Sequence, residues 1–183
     1  MKKLLLTSAI LFLAITINAQ IFGTAQTLST KKFNVGIMPA VIVNEGAQEY
    51  FLFIQAGYGL ASGVDLGLRF NVFSENTYLG ADLEFALKRN LSVATGFHSF
   101  NNDLGLDLTG LLTIPLNQSA RLTSGLDMDI IFMDGENKAP LWIPINFEVD
   151  LKRNMTFMLE ADIDTKLLDE SYHVLSAGIQ FYF

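Results

Sequence analysis

Hydrophobic and polar residues alternate along nearly the whole chain after residue 32. A period of two places successive side chains on opposite faces, and it is typical of β-strands with one apolar face and one polar face. In the first such segment the odd positions are apolar, and in the second the even positions are. The pattern predicts ten strands, at residues 33–43, 50–60, 64–73, 79–88, 91–98, 105–116, 121–132, 141–151, 155–164 and 172–183.

The connections between these strands are short, so we expect each strand to pair with the next in an antiparallel up-and-down order. The last strand, at residues 172–183, is apolar on one face, and an unpaired apolar edge would promote aggregation. We therefore expect it to pair with the strand at residues 33–43. The sequence predicts an all-β fold, a closed barrel of about ten strands. Pro39, Pro115 and Pro144 each remove a backbone donor, so we expect them at bulges or strand ends.

The apolar face is predicted to be turned outward, toward lipid. A soluble lipocalin-like barrel shows the same period with its apolar face inward. Here the apolar positions are almost free of charge, and strands of about ten residues are long enough to cross a bilayer. We predict that the opposite face lines a polar, acidic lumen. It carries three bases, Arg69, Lys88 and Arg121, and eleven carboxylates, those of Asp65, Asp82, Glu84, Asp107, Asp127, Asp129, Glu148, Asp150, Glu160, Asp162 and Asp164.

The first 19 residues have the pattern of a cleaved secretory signal sequence. Lys2 and Lys3 precede an apolar stretch at residues 4–17, and Ala19 stands before the expected cleavage point. The alternative is an uncleaved anchor helix, but a stretch of about 14 residues is too short, since a spanning helix needs about 20. We expect residues 20–31 to form an N-terminal periplasmic segment and residues 32–183 to form the barrel.

Composition excludes several classes of function. Without the two lysines of the signal sequence, 10 basic residues remain against 19 acidic ones, a net charge of −9. Binding of nucleic acid depends on basic side chains, so we expect no nucleic-acid partner. Cysteine is absent, which excludes disulfides, a thiol nucleophile and a lipid-modified amino-terminal cysteine.

The connections also predict the orientation of the barrel. Turns at residues 61–63, 88–90, 117–119 and 152–154 are short, and two of them are basic. Because bacterial barrels have short periplasmic turns, we expect these turns in the periplasm. The alternate connections, which are mostly acidic, should face outside. They lie at residues 44–48, 74–76, 101–103, 134–139 and 165–171.

Together these features resemble the small outer-membrane β-barrels of Gram-negative bacteria, over essentially residues 20–183. Residues 18–20 and 58–70 are similar to uncharacterised barrels of the Bacteroidota. The resemblance implies a location in the cell outer membrane, with membrane lipids and the outer-membrane assembly machinery as partners. Phe181 and Phe183 resemble the carboxyl-terminal aromatic signal that this machinery recognises. The resemblance implies no activity and identifies no further protein partner.

The sequence lacks the spacing of the barrel lipid hydrolases. Their histidine and serine share one face of a strand, which requires a His-x-Ser spacing, whereas Ser99 directly follows His98. The second histidine, His173, has Leu175 two residues on. Omptin-like proteases also have ten strands, but they build their site on long strand extensions that this chain lacks. We expect no enzyme activity, no catalytic residue and no cofactor.

Carboxylate pairs offer a further kind of chemistry. Asp127 and Asp129 lie on one face of a strand, about 7 Å apart, as do Asp162 and Asp164, and hard cations bind carboxylate oxygens. The preferred alternative is that the lumen acids pair with the lumen bases and water. We therefore expect no metal site.

Two functions remain, with a hydrolase as a remote third. The first is a structural or interaction barrel with a largely filled lumen, because many large side chains have inward parity. They are Phe51, Phe53, Phe73, Phe100, Leu111, Ile131, Trp142, Met158 and Tyr182. The alternative is a narrow, cation-preferring channel or small-solute transporter, which the surplus of acids favours.

Overall fold

The computed structural model describes residues 24–44, 47–133, 136–165 and 172–183. The predicted signal sequence lies outside these ranges, and so do parts of the loops predicted at residues 44–48, 134–139 and 165–171. The described part of the chain contains no helix long and apolar enough to cross a membrane. Its strands are β1 (Phe33–Asn44), β2 (Ala47–Ala61), β3 (Val64–Val72), β4 (Tyr78–Lys88), β5 (Leu91–Phe100), β6 (Asp103–Pro115), β7 (Ala120–Met133), β8 (Glu136–Lys138), β9 (Leu141–Lys152), β10 (Met155–Asp164) and β11 (Tyr172–Tyr182).

The strands form one closed antiparallel barrel in chain order. β8 and β9 both pair with β7, so together they occupy a single place in the wall. Pro140 lies between them and has no N–H to donate, but its carbonyl accepts a hydrogen bond of 3.1 Å from the backbone of Asp129. The wall therefore has ten strand positions, and the predicted fold is confirmed.

The barrel closes where β1 meets β11, as predicted. Their register runs from Asn34 opposite Tyr182 to Asn44 opposite Tyr172. Beyond it, Phe33 and Phe183 exchange two backbone hydrogen bonds of 3.3 and 2.9 Å. The two rings stack with centroids 4.7 Å apart. We call this end of the barrel the termini end and the opposite end the loop end.

The prolines occupy two kinds of position. Pro115 is the last residue of β6, as expected. Pro39 and Pro144, in contrast, lie inside β1 and β9. Pairing is interrupted beside each of them, in the β1–β11 ladder at Pro39 and in the β7–β9 ladder at Pro144. Each strand keeps its ladder to the neighbour on its other side, which explains why it continues through the proline.

The distribution of side chains is inverted relative to a soluble protein. Among the described residues, nineteen polar or charged side chains are buried against eight hydrophobic ones, while twenty-seven large hydrophobic side chains are exposed. A lipocalin-like barrel would bury its apolar face. An exposed apolar band around a polar interior is the arrangement of a barrel surrounded by lipid.

The N-terminal segment enters the termini end of the barrel. Thr24 and Ala25 are buried there, and the N–H of Ala25 donates to Thr113 Oγ1 at 2.9 Å. The N–H of Leu28 donates to Asp65 Oδ2 at 2.7 Å. The assignment of residues 20–31 to a periplasmic segment stays a prediction. The described part of that segment contacts the interior wall through these two hydrogen bonds.

A glycine makes this close approach sterically feasible. A Cβ atom at Gly59 would lie 2.2 Å from the carbonyl oxygen of Ser29, closer than any real contact. The backbone of Gly59 also bonds the segment directly, accepting from the N–H of Lys31 at 2.8 Å and donating to the carbonyl of Lys32 at 2.9 Å. Gly59 is therefore the point at which the segment lies against the wall.

Candidate binding cavity in the barrel interior

A cavity of about 440 Å³ occupies the loop-end half of the interior. Its described lining is strongly acidic, with seven carboxylates against two permanently charged bases. The bases are Arg69 and Lys138, and the carboxylates are those of Glu49, Asp103, Asp107, Asp127, Asp129, Glu160 and Asp162. Because like charges in a confined site repel one another, this lining favours a positively charged occupant.

Aromatic rings line one side of the interior, from β2 across to β5. The rings of Phe51 and Phe53 stack at 5.5 Å, and Tyr78 meets Phe53 edge-on at 5.5 Å. Tyr78 then stacks on the imidazole of His98 at 5.7 Å. These contacts hold the imidazole in a fixed orientation.

His98 is buried on β5, with its Nδ1 directed at a carboxylate on β6. The Nδ1 atom lies 2.9 and 3.1 Å from the two carboxylate oxygens of Asp107. On its other side, a Cβ atom at Gly105 would lie 2.4 Å from His98 Nε2, so the glycine makes room for the ring. Asp129 on β7 is directly opposite Asp107 in the ladder.

Arg69 lies at the inner end of the cavity. Its Nη2 atom is 3.4 Å from Gln55 Oε1 and 3.5 Å from Glu160 Oε1, and its guanidinium carbon lies 5.6 Å from the ring centre of Phe53. Next to it, Gln55 Nε2 contacts the sulfur of Met158 at 3.9 Å. The cavity therefore narrows to tightly packed side chains near the middle of the barrel.

A second polar cluster lies toward the termini end. Arg121 pairs through Nε with the fully buried carboxylate of Glu148, and through Nη1 with Asp150 Oδ2 at 3.0 Å. Thr156 donates to the other oxygen of Asp150 at 2.7 Å. These acids have protein partners and lie outside the cavity lining.

The structure separates the predicted lumen residues into groups. Asp107, Asp127, Asp129, Glu160, Asp162 and Arg69 line the cavity. Arg121, Glu148 and Asp150 form the second cluster. The remaining predicted acids, Asp65, Asp82, Glu84 and Asp164, are buried but belong to neither group.

Lys88 requires a correction, because it does not line the lumen. It is exposed at the last position of β4, beyond a register shift between Ala86 and Lys88 in the ladder to β5. The shift ends the regular alternation on which the prediction depended. The charged end of a long lysine side chain also favours water over the barrel interior.

Phe73 requires a second correction. It was expected among the inward aromatic residues, but it follows the last residue of β3 and is 95% exposed. Its backbone adopts a positive φ of 60°, which turns the chain away from the strand path. Parity along a strand predicts a side-chain direction only as far as the strand extends.

Sequence reasoning did not identify several important groups. Glu49, Asp103 and Lys138 line the cavity, yet they lie at strand ends, where parity gave little guidance. The place of His98 among the acids could have been found. Its inward parity matched that of Asp107 and Asp129 on the next two strands.

No protein-family model matches the chain, and no curated protein matches it significantly. Among solved structures, the chain is similar to the translocator domain of the autotransporter NalP from Neisseria meningitidis, with 8% identity, coverage of 85% of this chain and 90% of that one, and a TM-score of 0.59. It is also similar to the KdgM porin, with 12% identity, coverage of 81% and 99%, and a TM-score of 0.50.

The fold is that of an outer-membrane β-barrel. At these low identities the likeness concerns the fold alone, and the names of the two proteins carry no activity over to this chain.

Proposed function

We propose that the protein is an integral barrel of the outer membrane with a structural or interaction role, that it is not an enzyme, and that its lumen is closed between the cavity and the termini end. The apolar outer band and the fold support the location. The closure distinguishes this role from that of a pore.

A layer of fully buried side chains carries the proposal. Met38, Gln55, Leu111, Asn146, Glu148 and Met158 are each less than 2% exposed. They come from strands on both sides of the interior, β1 and β2 on one and β6, β9 and β10 on the other. Side chains packed to this density would obstruct a hydrated ion, and this supports a closed lumen.

The N-terminal segment supports closure independently. Ala25 and Leu28 hydrogen-bond the wall between the packed layer and the termini end, on strands β6 and β3. A solute that passed the layer would still meet this segment.

The geometry around His98 favours a role without catalysis. A histidine paired with an aspartate is part of the hydrolase triad, but a hydroxyl nucleophile must reach the other ring nitrogen. The described lining of the cavity contains no serine or threonine. Ser99 is the next residue along the strand and has the opposite parity.

Electrical recording from planar lipid bilayers tests the closed lumen. We expect the purified, refolded protein to insert without a stable conductance step. Steady, reproducible channel openings from the wild-type protein would contradict the proposal.

The acidic cavity favours a second candidate, a narrow cation-preferring channel. In that case, changing Asp127→Asn, Asp129→Asn and Glu148→Gln together should lower the preference for cations over anions. If the wild-type protein conducts and its selectivity is unchanged in this variant, the ions do not pass these three acids and the second candidate is wrong.

A further inference from the structure

We propose that His98, Asp107 and Asp129 form a binding site for a divalent transition-metal cation of the zinc type. The three side chains come from adjacent strands β5, β6 and β7. They place one imidazole nitrogen and one oxygen of each carboxylate within 4.8 Å of one another. One histidine and two carboxylates make a three-ligand set that leaves coordination positions open toward the cavity.

The spacing of these atoms agrees with that of metal ligands. His98 Nδ1 and Asp107 Oδ1 are 2.9 Å apart. Two ligands of a tetrahedral zinc ion at about 2.1 Å lie roughly 3.4 Å from each other, so a small outward movement of the two side chains would admit the ion. The cation would take the place of the hydrogen bond between His98 Nδ1 and Asp107.

The two carboxylates face each other across neighbouring strands, and a positive charge between them would relieve their repulsion. Asp107 and Asp129 are direct cross-strand partners with the same inward direction, and like charges at such positions repel each other. Arg69, one of the two permanently charged bases in the cavity lining, is bonded to Glu160. A divalent cation would convert this repulsion into shared coordination.

A further buried carboxylate lines the same cavity. Glu160 is only 5% exposed and lines the same cavity. Its Oε2 atom has no hydrogen-bond partner among the described residues, whereas Oε1 contacts Arg69. A buried carboxylate oxygen is costly to leave unsatisfied, so this part of the interior also favours a positively charged or hydrogen-bond-donating occupant.

The imidazole selects among cations. Calcium and magnesium prefer oxygen ligands, whereas imidazole suits zinc and its transition-metal neighbours. The imidazole ring is also oriented before any ion binds. Tyr78 stacks on one of its faces, and the absence of a Cβ atom at Gly105 leaves room for the ring. A preoriented ring loses little freedom when the ion binds.

This inference does not depend on whether the barrel conducts, because the site lies in the cavity on the loop-end side of the packed layer. Calorimetric titration of the folded, chelator-treated protein in detergent micelles tests it, with zinc chloride as the probe. We expect one zinc ion to bind per chain, and calcium at the same concentration not to compete.

The variants His98→Gln and Asp129→Asn preserve side-chain size and hydrogen bonding. Loss of a residue that only hydrogen-bonds a metal ligand typically lowers metal affinity by roughly 10- to 100-fold. Loss of a direct ligand should weaken zinc binding by at least that much. Asp150→Asn is the matched control, since it removes an inward-facing carboxylate of the second cluster, outside the cavity lining. This variant should bind zinc like the wild type. Far-ultraviolet circular dichroism verifies that each variant is folded.

Cobalt provides a spectroscopic readout that a purely structural role would not change. The visible absorption of bound Co²⁺ reports its ligands, and we expect it to shift in His98→Gln. The proposal is overturned if the wild-type protein shows no saturable zinc binding. It is equally overturned if zinc binding and the cobalt spectrum are the same in His98→Gln and Asp129→Asn as in the wild type.

Discussion

At the scale of single residues, the interior depends on charged groups that neutralise one another away from water. Glu148 is fully buried, and Arg121 is the base that pairs with it. A charge buried without a partner is costly, although a buried pair need not exceed apolar packing in stability. The pair therefore matters most when only one member is removed.

We predict that Arg121→Met lowers the free energy of unfolding by about 3–5 kcal/mol, because it leaves the Glu148 carboxylate without its basic partner. The double variant Arg121→Met, Glu148→Met should recover much of that loss. Urea unfolding in lipid vesicles, followed by the fluorescence of the single tryptophan, Trp142, measures both.

The matched control is Arg153→Met, at an exposed turn between β9 and β10. It should change the stability by less than about 0.5 kcal/mol. Equal losses for the variants at Arg121 and Arg153 would show that the buried ion pair is not a stabilising contact.

At the scale of elements, the N-terminal segment depends on a glycine in the wall. Gly59 in β2 lies under the carbonyl of Ser29, whereas a Cβ atom at Gly110 in β6 would meet nothing within 4 Å. The two positions thus form a matched pair. The methyl group that a change to alanine adds would clash at Gly59 and would meet no atom at Gly110.

We predict that Gly59→Ala displaces the segment, so that the amides of Ala25 and Leu28 lose protection. Hydrogen exchange followed by mass spectrometry should show faster exchange of residues 24–32 in this variant, while Gly110→Ala exchanges like the wild type. Unchanged protection in Gly59→Ala would contradict the described contact.

Elements also show how far the sequence predicts the structure. Alternation located all ten wall strands, because period two is imposed on every strand that separates lipid from a polar interior. It did not reveal that Pro140 divides one wall position into β8 and β9. Nor did it predict that Thr24 and Ala25 are buried at the termini end, since an irregular segment has no periodicity to read.

The candidate site was predictable in part for the same reason. Strand parity predicted that the side chains of Asp107, Asp127 and Asp129 point inward. All three line the cavity because of that direction. It could not give the register between strands, which determines that Asp107 is opposite Asp129 and that His98 reaches Asp107. Lys88 and Phe73 depart from parity because each lies where its strand ends.

At the scale of the whole molecule, the exposed apolar residues of a membrane barrel must face lipid. Leu108 lies in the middle of β6 and is 55% exposed, while Leu116 lies just beyond the same strand at the termini end and is 54% exposed. In a soluble barrel these two leucines would be equivalent. In a bilayer they differ in depth.

The stability of Leu108→Arg and Leu116→Arg in lipid vesicles tests the membrane barrel most directly. An arginine at the bilayer midplane costs about 2–4 kcal/mol, and one near the interface costs about 0–1 kcal/mol. We predict the larger loss for Leu108→Arg and the smaller for Leu116→Arg, by urea unfolding. Small and equal losses at both positions would contradict the account, because they would place the apolar band in water.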